Sequence, residues 1–309
     1  MPASTRLNDR LRASAEPLIL DGGLASELSR SGFDLDHPLW SARLLTENPE
    51  AIEAVTRSFA AAGAELLATA TYQATFPGLE KEGMSRPEAV RLFQRAIALT
   101  RRVADEFSHR PLVAASIGPY GAYLADGSEY RGNYGLTSKE LAEFHRPRLE
   151  VLTDTAVDLL AFETFPSAQE ALAIADLLAD QFSDHEAWIS FSCRDDSTLW
   201  DGTPIAEIAG KLRDHPVITA IGVNCVHPDH TTGLVARLRE AAPNQAVIVY
   251  PNAGRGWDAE AGRWSGTDSP EEFADRAQSW IDAGARIVGG CCLASPDHIA
   301  ALRERFKPA

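Results

Sequence analysis

Eight short apolar segments, separated by amphipathic segments rich in Ala and Leu, recur along the whole chain. Two of them, LLAFE and RIVGG, are continuously apolar rather than alternating. This is typical of parallel strands that helices cover on both faces. The pattern therefore predicts alternating strands and helices. The predicted strands are 17–21, 65–71, 112–117, 159–162, 187–193, 218–224, 246–250 and 286–288.

The segments between these strands carry helix signals. Asn48 precedes one helical pattern, with Pro49 at its first position, and Thr137 or Ser138 precedes another. Asn, Ser and Thr are preferred N-cap residues, and Pro is favoured at the first helical position. The predicted helices include 49–62, 138–156, 167–178, 205–213, 230–241, 270–283 and 296–306.

The number of repeats favours one α/β architecture. Eight strand–helix units make a (β/α)8 TIM barrel, which commonly takes about 250 residues. The 309-residue chain shows no Pro-, Gly- or Ser-rich linker, so we expect a single domain. It would consist of an N-terminal lead-in at 1–16 and the barrel at 17–309. A doubly wound open sheet is the alternative.

The charge balance excludes two classes of partner. Lys and Arg number 29 against 44 Asp and Glu, a net charge of −15 that repels nucleic acids and anionic lipids. The N-terminus has no apolar run of signal-peptide length, and no segment approaches the ~18 apolar residues of a membrane span. We expect a cytoplasmic protein, a monomer or small homo-oligomer, that acts on small molecules.

Four cysteines are too few for a disulfide-stapled secreted fold, and two of them, Cys291 and Cys292, are adjacent. Their Cα atoms lie ~3.8 Å apart, below the ~4.4 Å lower edge of disulfide geometry. Cys225 follows the sixth predicted strand and the pair follows the eighth, so a barrel would bring three thiols to one mouth. Three thiolates can hold a Zn²⁺ ion whose fourth position stays open for substrate.

Other residues are alternatives for this site. Cys193, at the end of the fifth predicted strand, is a rival ligand, and His227 and His298 could coordinate or act as surface and capping residues. Inert, buried thiols are the alternative for the cysteines as a set. Gly289 and Gly290 would let the backbone turn sharply so that both neighbouring thiols reach one ion.

A zinc ion with three thiolates is net anionic, which suits it poorly to polarise a carbonyl. It is better suited to remove the proton of a thiol while preserving the nucleophilicity of the sulfur. The natural reaction is alkyl transfer to sulfur. Two long loops, 118–135 and 251–269, follow strand ends on the same face of the predicted barrel and are candidate lids.

Several segments together carry a family resemblance. They are DGG at 21–23, TATYQA at 69–74, GPYGAYLADGSEYRGNY in the first long loop, FET at 162–164, GVNC at 222–225, YPN at 250–252 and GGCC at 289–292. From about residue 18 to 302 the chain resembles the homocysteine S-methyltransferase family (EC 2.1.1.10 type). The resemblance implies a (β/α)8 barrel and a zinc ion on Cys225, Cys291 and Cys292. It also implies methylation of homocysteine to methionine.

The resemblance also implies roles in binding homocysteine. Asp21 and Glu163 match the carboxylates that hold its ammonium group, and an ammonium prefers acceptors of opposite charge. The homocysteine carboxylate would be held by groups equivalent to the backbone at Gly22 and Gly23 and to Thr69.

The implied methyl donor is a sulfonium, S-methyl-L-methionine with S-adenosylmethionine as a poorer donor. Aromatic faces and nearby negative charge recognise such a cation. The donor-site candidates are Trp40, Tyr72, Gln73 and Phe76, with Trp257 and Trp264 in the second long loop. Betaine is disfavoured because the betaine-dependent enzymes have a tyrosine where Gln73 stands. Another zinc-dependent thiol alkyltransferase, or a non-enzymatic barrel with a structural zinc or redox thiol pair, are the alternative functions.

Overall fold

The computed structural model describes residues 6–254, 257–258, 263–264 and 266–307. Eight parallel strands form one sheet: β1 (Leu18–Ile19), β2 (Leu66–Ala68), β3 (Leu112–Ile117), β4 (Leu159–Phe165), β5 (Glu186–Phe191), β6 (Ile218–Asn224), β7 (Ala246–Tyr250) and β8 (Ala285–Val288). They are paired in the order β1–β8–β7–β6–β5–β4–β3–β2, and a bridge between Leu20 and Leu66 connects β2 to the end of β1. This nearly closed sheet confirms the predicted single-domain barrel and excludes the open-sheet alternative.

Helices surround the barrel. They are α1 (Leu7–Ala13), α2 (Leu24–Arg30), α3 (Leu44–Glu47), α4 (Pro49–Ala61), α5 (Phe76–Lys81), α6 (Arg86–Glu106), α7 (Tyr120–Leu124), α8 (Ser138–Thr153), α9 (Ala168–Gln181), α10 (Ile205–Leu212), α11 (Pro228–Ala241), α12 (Pro270–Asp282) and α13 (Pro296–Phe306). Short 3-10 helices cover Trp40–Arg43 and Ser128–Tyr130, and Trp257–Asp258 pairs with Arg263–Trp264 as an antiparallel ladder. None of the helices in the described ranges is both long and apolar enough to cross a bilayer.

Capping residues begin several helices as predicted. The Asn48 side chain accepts a hydrogen bond from the Ala51 N–H at 3.2 Å at the start of α4. Thr137 forms a capping box with Glu140 at the start of α8. The second predicted strand, 65–71, is too long, because the chain turns after Ala68 with the Thr71 N–H donating to the Thr69 carbonyl.

The side chains that point into the barrel change character along the strands. At the amino-terminal end they form an apolar cluster that includes Leu7, Leu18, Leu66, Leu112, Leu159, Trp188, Ile248 and Ile287. Because successive strand residues alternate between faces, the same inner face continues toward the carboxyl ends. There it carries Ser116, Glu163, Ser190, Asn224 and Tyr250, all buried. A polar layer therefore lies above an apolar one, at the mouth formed by the strand ends.

Helix α1 covers the opposite end of the barrel. Glu186, at the start of β5, accepts hydrogen bonds from the backbone N–H groups of Leu7 at 2.7 Å and Asn8 at 3.2 Å. The Leu7 side chain is fully buried. The predicted lead-in at 1–16 thus includes a helix that packs on the barrel.

Candidate functional site

Three thiols meet at the carboxyl ends of β6 and β8. The Sγ atom of Cys225 lies 2.7 Å from that of Cys291 and 3.9 Å from that of Cys292. All three sulfur atoms lie within 4.8 Å of one another, and no other His, Cys, Asp or Glu in the described ranges joins this group. The structure thus confirms the predicted cluster, which could hold a metal ion.

The backbone around the cluster fixes where the thiols point. Cys225 adopts a left-handed conformation with φ of 51°, which costs a non-glycine residue about 1–3 kcal/mol. The backbone of the other two cysteines, which follow β8, is hydrogen-bonded to the segment after β7. The Cys291 N–H donates to the Pro251 carbonyl at 2.8 Å, and the Cys292 N–H donates to Asn252 Oδ1 at 3.2 Å.

The glycines next to the site allow close packing rather than a sharp turn. Gly290 does not have a positive φ; a Cβ atom there would collide with Ala294. The expectation of a sharp backbone turn is therefore wrong. A Cβ atom on Gly23 would lie 2.5 Å from the Cys291 carbonyl oxygen. The Gly23 N–H donates to the Ala294 carbonyl at 2.9 Å, so binding the homocysteine carboxylate through this N–H would require that hydrogen bond to break.

The rival ligands lie elsewhere. Cys193 is buried in the hydrophobic core, where burial raises the pKa of its thiol far above the ordinary value. His227 is the N-cap of α11 and accepts from the Asp229 N–H at 3.2 Å. The His298 ring accepts from the Ser295 N–H at 3.1 Å at the start of α13. Both histidines therefore have the capping role that was the alternative to coordination.

Two carboxylates stand beside the cysteine cluster. Asp21 follows β1, and its Oδ2 atom accepts the Ala68 N–H at 2.8 Å. Glu163 on β4 accepts a hydrogen bond from the Ser116 hydroxyl, and Tyr250 contributes a second. Asp21 and Glu163 are only 6% and 8% exposed, so both carboxyl groups are largely shielded from water.

The electrostatics of this pair favour a bound cation. Burial raises the pKa of Glu163 to about 7 even though Ser116 and Tyr250 hydrogen-bond its carboxylate. Burial, together with the charge of Glu163, raises the pKa of Asp21 well above its usual range. Two buried carboxylates without a counter-ion resist ionising together. A bound ammonium group would relieve both effects.

The hydroxyl of Thr69 already has partners. It is 2.7 Å from Thr71 Oγ1 and accepts the Ser116 N–H at 3.2 Å. Thr71 Oγ1 in turn donates to the Ser116 carbonyl at 2.7 Å. The Thr69 hydroxyl therefore donates its hydrogen bond to Thr71 Oγ1, so binding a carboxylate through Thr69 would require this hydroxyl pair to reorient.

Three of the four principal donor-site candidates line the same cavity. The rings of Trp40 and Tyr72 meet edge to face with centroids 6.0 Å apart. Gln73 also lines the cavity, while its side-chain N–H donates to the Ala122 carbonyl and so connects it to α7.

Phe76 is not part of this cavity. It begins α5, and its ring packs 5.4 Å from the ring of Phe93 on α6. The Arg86 guanidinium covers the ring at 4.4 Å. The structure therefore does not bring Phe76 together with the other donor-site candidates, because the helix that follows Thr75 turns the ring toward the outer layer. The side chains of Trp257 and Trp264 lie outside the described residues.

The cavity at the mouth encloses about 360 Å³. It is lined by the three cysteines, Asp21, Glu163, Trp40, Tyr72, Gln73, Glu129, Tyr130 and their neighbours. None of the lining residues in the described ranges is a lysine or arginine. Glu129 and Tyr130 have no counterpart among the predicted site residues; their positions depend on how the first long loop folds.

A buried polar network holds that loop. Arg148 of α8 donates to the Gly118 carbonyl at 2.6 Å, and Glu170 of α9 accepts the Tyr120 N–H at 2.7 Å. His145 lies between them, with its Nε2 atom 2.8 Å from the Glu170 carboxylate. The loop predicted to be a lid therefore contains ordered elements, α7 and a 3-10 helix, anchored to the helical layer.

Comparison with known proteins places this site in a family. The sequence model described as homocysteine S-methyltransferase matches residues 18–306, which include the strands of the barrel and the three cysteines. The chain belongs to the homocysteine S-methyltransferase family. The matched range begins at β1, so α1 lies outside it.

Members of the homocysteine S-methyltransferase family are similar to this chain over nearly its whole length. Homocysteine S-methyltransferase YbgG of Bacillus subtilis is 44% identical over 291 residues, 91% of this chain and 92% of the relative. The Escherichia coli enzyme is 40% identical over 308 residues, 96% and 99% of the two chains. The metallated form of the E. coli homocysteine methyltransferase MmuM superposes with a TM-score of 0.86 at 39% identity, covering 96% and 98%.

Proposed function

We propose that this protein transfers a methyl group from S-methyl-L-methionine, or less efficiently from S-adenosylmethionine, to the thiol of L-homocysteine. The observation that carries the proposal is the position of two buried carboxylates, Asp21 and Glu163, in one cavity with three thiols. An amino-acid thiol offers the complementary groups: an ammonium for the carboxylates and a sulfur for the cysteine cluster. The products are methionine and the demethylated donor.

The cysteine cluster fits a zinc ion. Hydrogen bonds to Cys291 and Cys292, with burial, raise the pKa of Cys225 well above the ordinary value, and hydrogen bonds from the other two thiols depress that of Cys292. The cluster therefore resists carrying three thiolates unless a cation neutralises them. Tetrahedral Zn²⁺ takes such ligands at about 2.3 Å and would leave one position open here. Bound zinc would supply the charge that removes the proton of a substrate thiol at neutral pH.

The protein's own residues orient the substrate. Asp21 and Glu163 would hold the homocysteine ammonium, and Gly22, Gly23 and Thr69 remain our candidates for its carboxylate. On transfer, the donor's methyl carbon bonds to the homocysteine sulfur. The electrons of the broken carbon–sulfur bond stay on the donor sulfur, which becomes a neutral thioether, and the thiol proton is released to solvent. Most of the acceleration would come from holding the two sulfurs in line.

The donor would lie against Trp40, Tyr72 and Gln73. A sulfonium has no N–H to donate, so aromatic faces recognise it through cation–π contacts of ~0.5–2 kcal/mol each. Because Trp40 and Tyr72 lie edge to face, they present two differently oriented surfaces to the cavity.

Parallel assays test this proposal. Protein of measured zinc content is incubated with homocysteine and, separately, S-methyl-L-methionine, S-adenosylmethionine and betaine, and methionine is quantified. We expect the highest rate with S-methyl-L-methionine, less with S-adenosylmethionine and none with betaine. Removal of zinc by a chelator should abolish the reaction and re-addition should restore it. Equal turnover by fully zinc-free protein would exclude the zinc-dependent mechanism.

A further inference from the structure

Glu129 brings a third carboxylate to the cavity, apart from the pair already described. It lies in the 3-10 helix Ser128–Tyr130 and lines the cavity with Trp40 and Tyr72. Its Oε2 atom is buried and has no hydrogen-bond partner among the described residues. Because a buried carboxylate oxygen without a partner is costly, its presence here requires an explanation.

The loop holds Glu129 in a defined position. A Cβ atom on Gly121 would lie 2.5 Å from the Glu129 nitrogen, so the glycine permits close packing of α7 against this residue. Ser192, just beyond β5, donates its hydroxyl to the Glu129 carbonyl at 3.2 Å. The nearby Arg131 is mostly exposed and pairs with Asp126 at 3.2 Å. The backbone of Glu129 is therefore fixed beside the cavity, and Arg131, a cation whose charge reaches the Glu129 carboxylate, is already paired with Asp126.

Glu129 lies on the aromatic side of the cavity. Burial raises the pKa of Tyr72 and the charge of Glu129 adds to this shift, whereas for Asp21 the charge that adds to the effect of burial is that of Glu163. Tyr130, the next residue, lines the same cavity as Cys225. Asp21 and Glu163 suffice for one ammonium group, which leaves Glu129 for a second cation in the same cavity.

We infer that Glu129 is the counter-ion of the methyl donor and makes the site selective for positively charged donors. This inference rests on the proposed function. The donor's positive charge is lost as its methyl carbon moves to the homocysteine sulfur. Glu129 therefore stabilises the bound donor at least as strongly as the transition state, and its removal should act on donor KM more than on kcat.

Substitution of Glu129, with a neutral methyl source as comparison, tests the inference. Glu129→Gln should raise the KM for S-methyl-L-methionine roughly 10- to 100-fold while the KM for homocysteine and the zinc content stay unchanged. Glu129→Asp keeps the charge and should give an intermediate value. Glu143→Gln removes the same charge from an exposed position on α8 and should change nothing.

Methyl iodide, a neutral methyl donor, separates this inference from the proposed function. Glu129→Gln should methylate homocysteine with methyl iodide as fast as the unsubstituted protein. An unchanged KM for S-methyl-L-methionine in Glu129→Gln, or an equal loss with methyl iodide, would overturn the role of Glu129. Failure of the unsubstituted protein with both sulfonium donors, despite turnover with methyl iodide, would instead overturn the proposed donor and this inference with it.

Discussion

The side-chain amide of Asn224 is hydrogen-bonded to Thr164 through both of its ends. Asn224 Oδ1 accepts the Thr164 N–H at 2.7 Å, and Asn224 Nδ2 donates to Thr164 Oγ1 at 2.8 Å. Thr164 follows Glu163 and Asn224 precedes Cys225, and both Thr164 and Cys225 have left-handed φ values, 62° and 51°. This contact therefore fixes the carboxylate proposed to bind ammonium relative to the first thiol.

Loss of this contact should impair two properties together. Asn224→Ala leaves the Thr164 N–H without its acceptor, which costs about 1–3 kcal/mol in a buried site. We expect zinc affinity to fall and homocysteine KM to rise about tenfold or more. Asn244→Ala, at an exposed asparagine bonded to Asp214, is the matched control and should leave both unchanged. A change in homocysteine KM at full zinc affinity would show that the two are not coupled.

The cysteine cluster predicts a contrast between two substitutions of the same type. Cys291→Ser should lose both bound zinc and methionine formation, because the hydroxyl is a poor ligand for this ion. Cys193→Ser, in the core, should retain zinc and turnover at permissive temperature while lowering the melting temperature. The zinc content and the rate of methionine formation are measured on the same samples of both variants. Full zinc content with normal turnover in Cys291→Ser would exclude the assigned ligand set.

The buried carboxylate of Glu163 should lower the stability of the substrate-free protein at high pH, although the same charge is proposed to bind homocysteine. The pKa of this carboxyl is raised from 4.5 to about 7, so its contribution to stability is fully present below pH 4.5 and is lost as pH rises through 7. Without homocysteine, Glu163→Gln should therefore be the more stable protein at pH 8, by up to about 3 kcal/mol. The difference should vanish near pH 4.5. Thermal melts across this range measure it.

The same substitution, Glu163→Gln, should weaken the binding of homocysteine. Adding homocysteine should raise the melting temperature of the unsubstituted protein more than that of Glu163→Gln, whose neutral amide cannot pair with an ammonium. The zinc content of the two proteins should be equal. Identical stabilisation by homocysteine would remove Glu163 from the binding site.

Close packing at Gly23 predicts a steric effect on the cysteine loop. Gly23→Ala places a Cβ atom 2.5 Å from the Cys291 carbonyl oxygen, so that the loop must move. We expect a loss of about 1–3 kcal/mol in stability and weaker zinc binding. Gly210→Ala, in α10 with open space around it, is the control and should stabilise the protein by roughly 0.5–1 kcal/mol. Zinc affinity equal to that of the unsubstituted protein would contradict the positioning role.

The sequence predicted the strands and the barrel topology that follows from them, but not how individual side chains of helices and loops pack against distant segments. The eight strands follow from apolar runs, and the barrel then places Cys225 with Cys291 and Cys292. The sequence did not show that the Phe76 ring packs away from the other donor-site candidates, because the direction of a ring at a helix start depends on its packing, here against α6. Glu129 was not predicted as a site residue, since only the contacts of its loop with Gly121 and Ser192 carry it into the cavity.

Helix α1 closes one end of the barrel, and this affects the order in which substrates bind and products leave. Leu7 fills the amino-terminal end of the barrel, so molecules exchange at the opposite mouth, where Tyr130 is 39% exposed beside Trp200. Asp21 and Glu163 lie deeper than this rim, at 6% and 8% exposure. A substrate bound at these two carboxylates would be covered by a donor bound at Glu129, the position inferred for it above. We therefore expect ordered kinetics, in which homocysteine enters first and newly made methionine leaves after the spent donor.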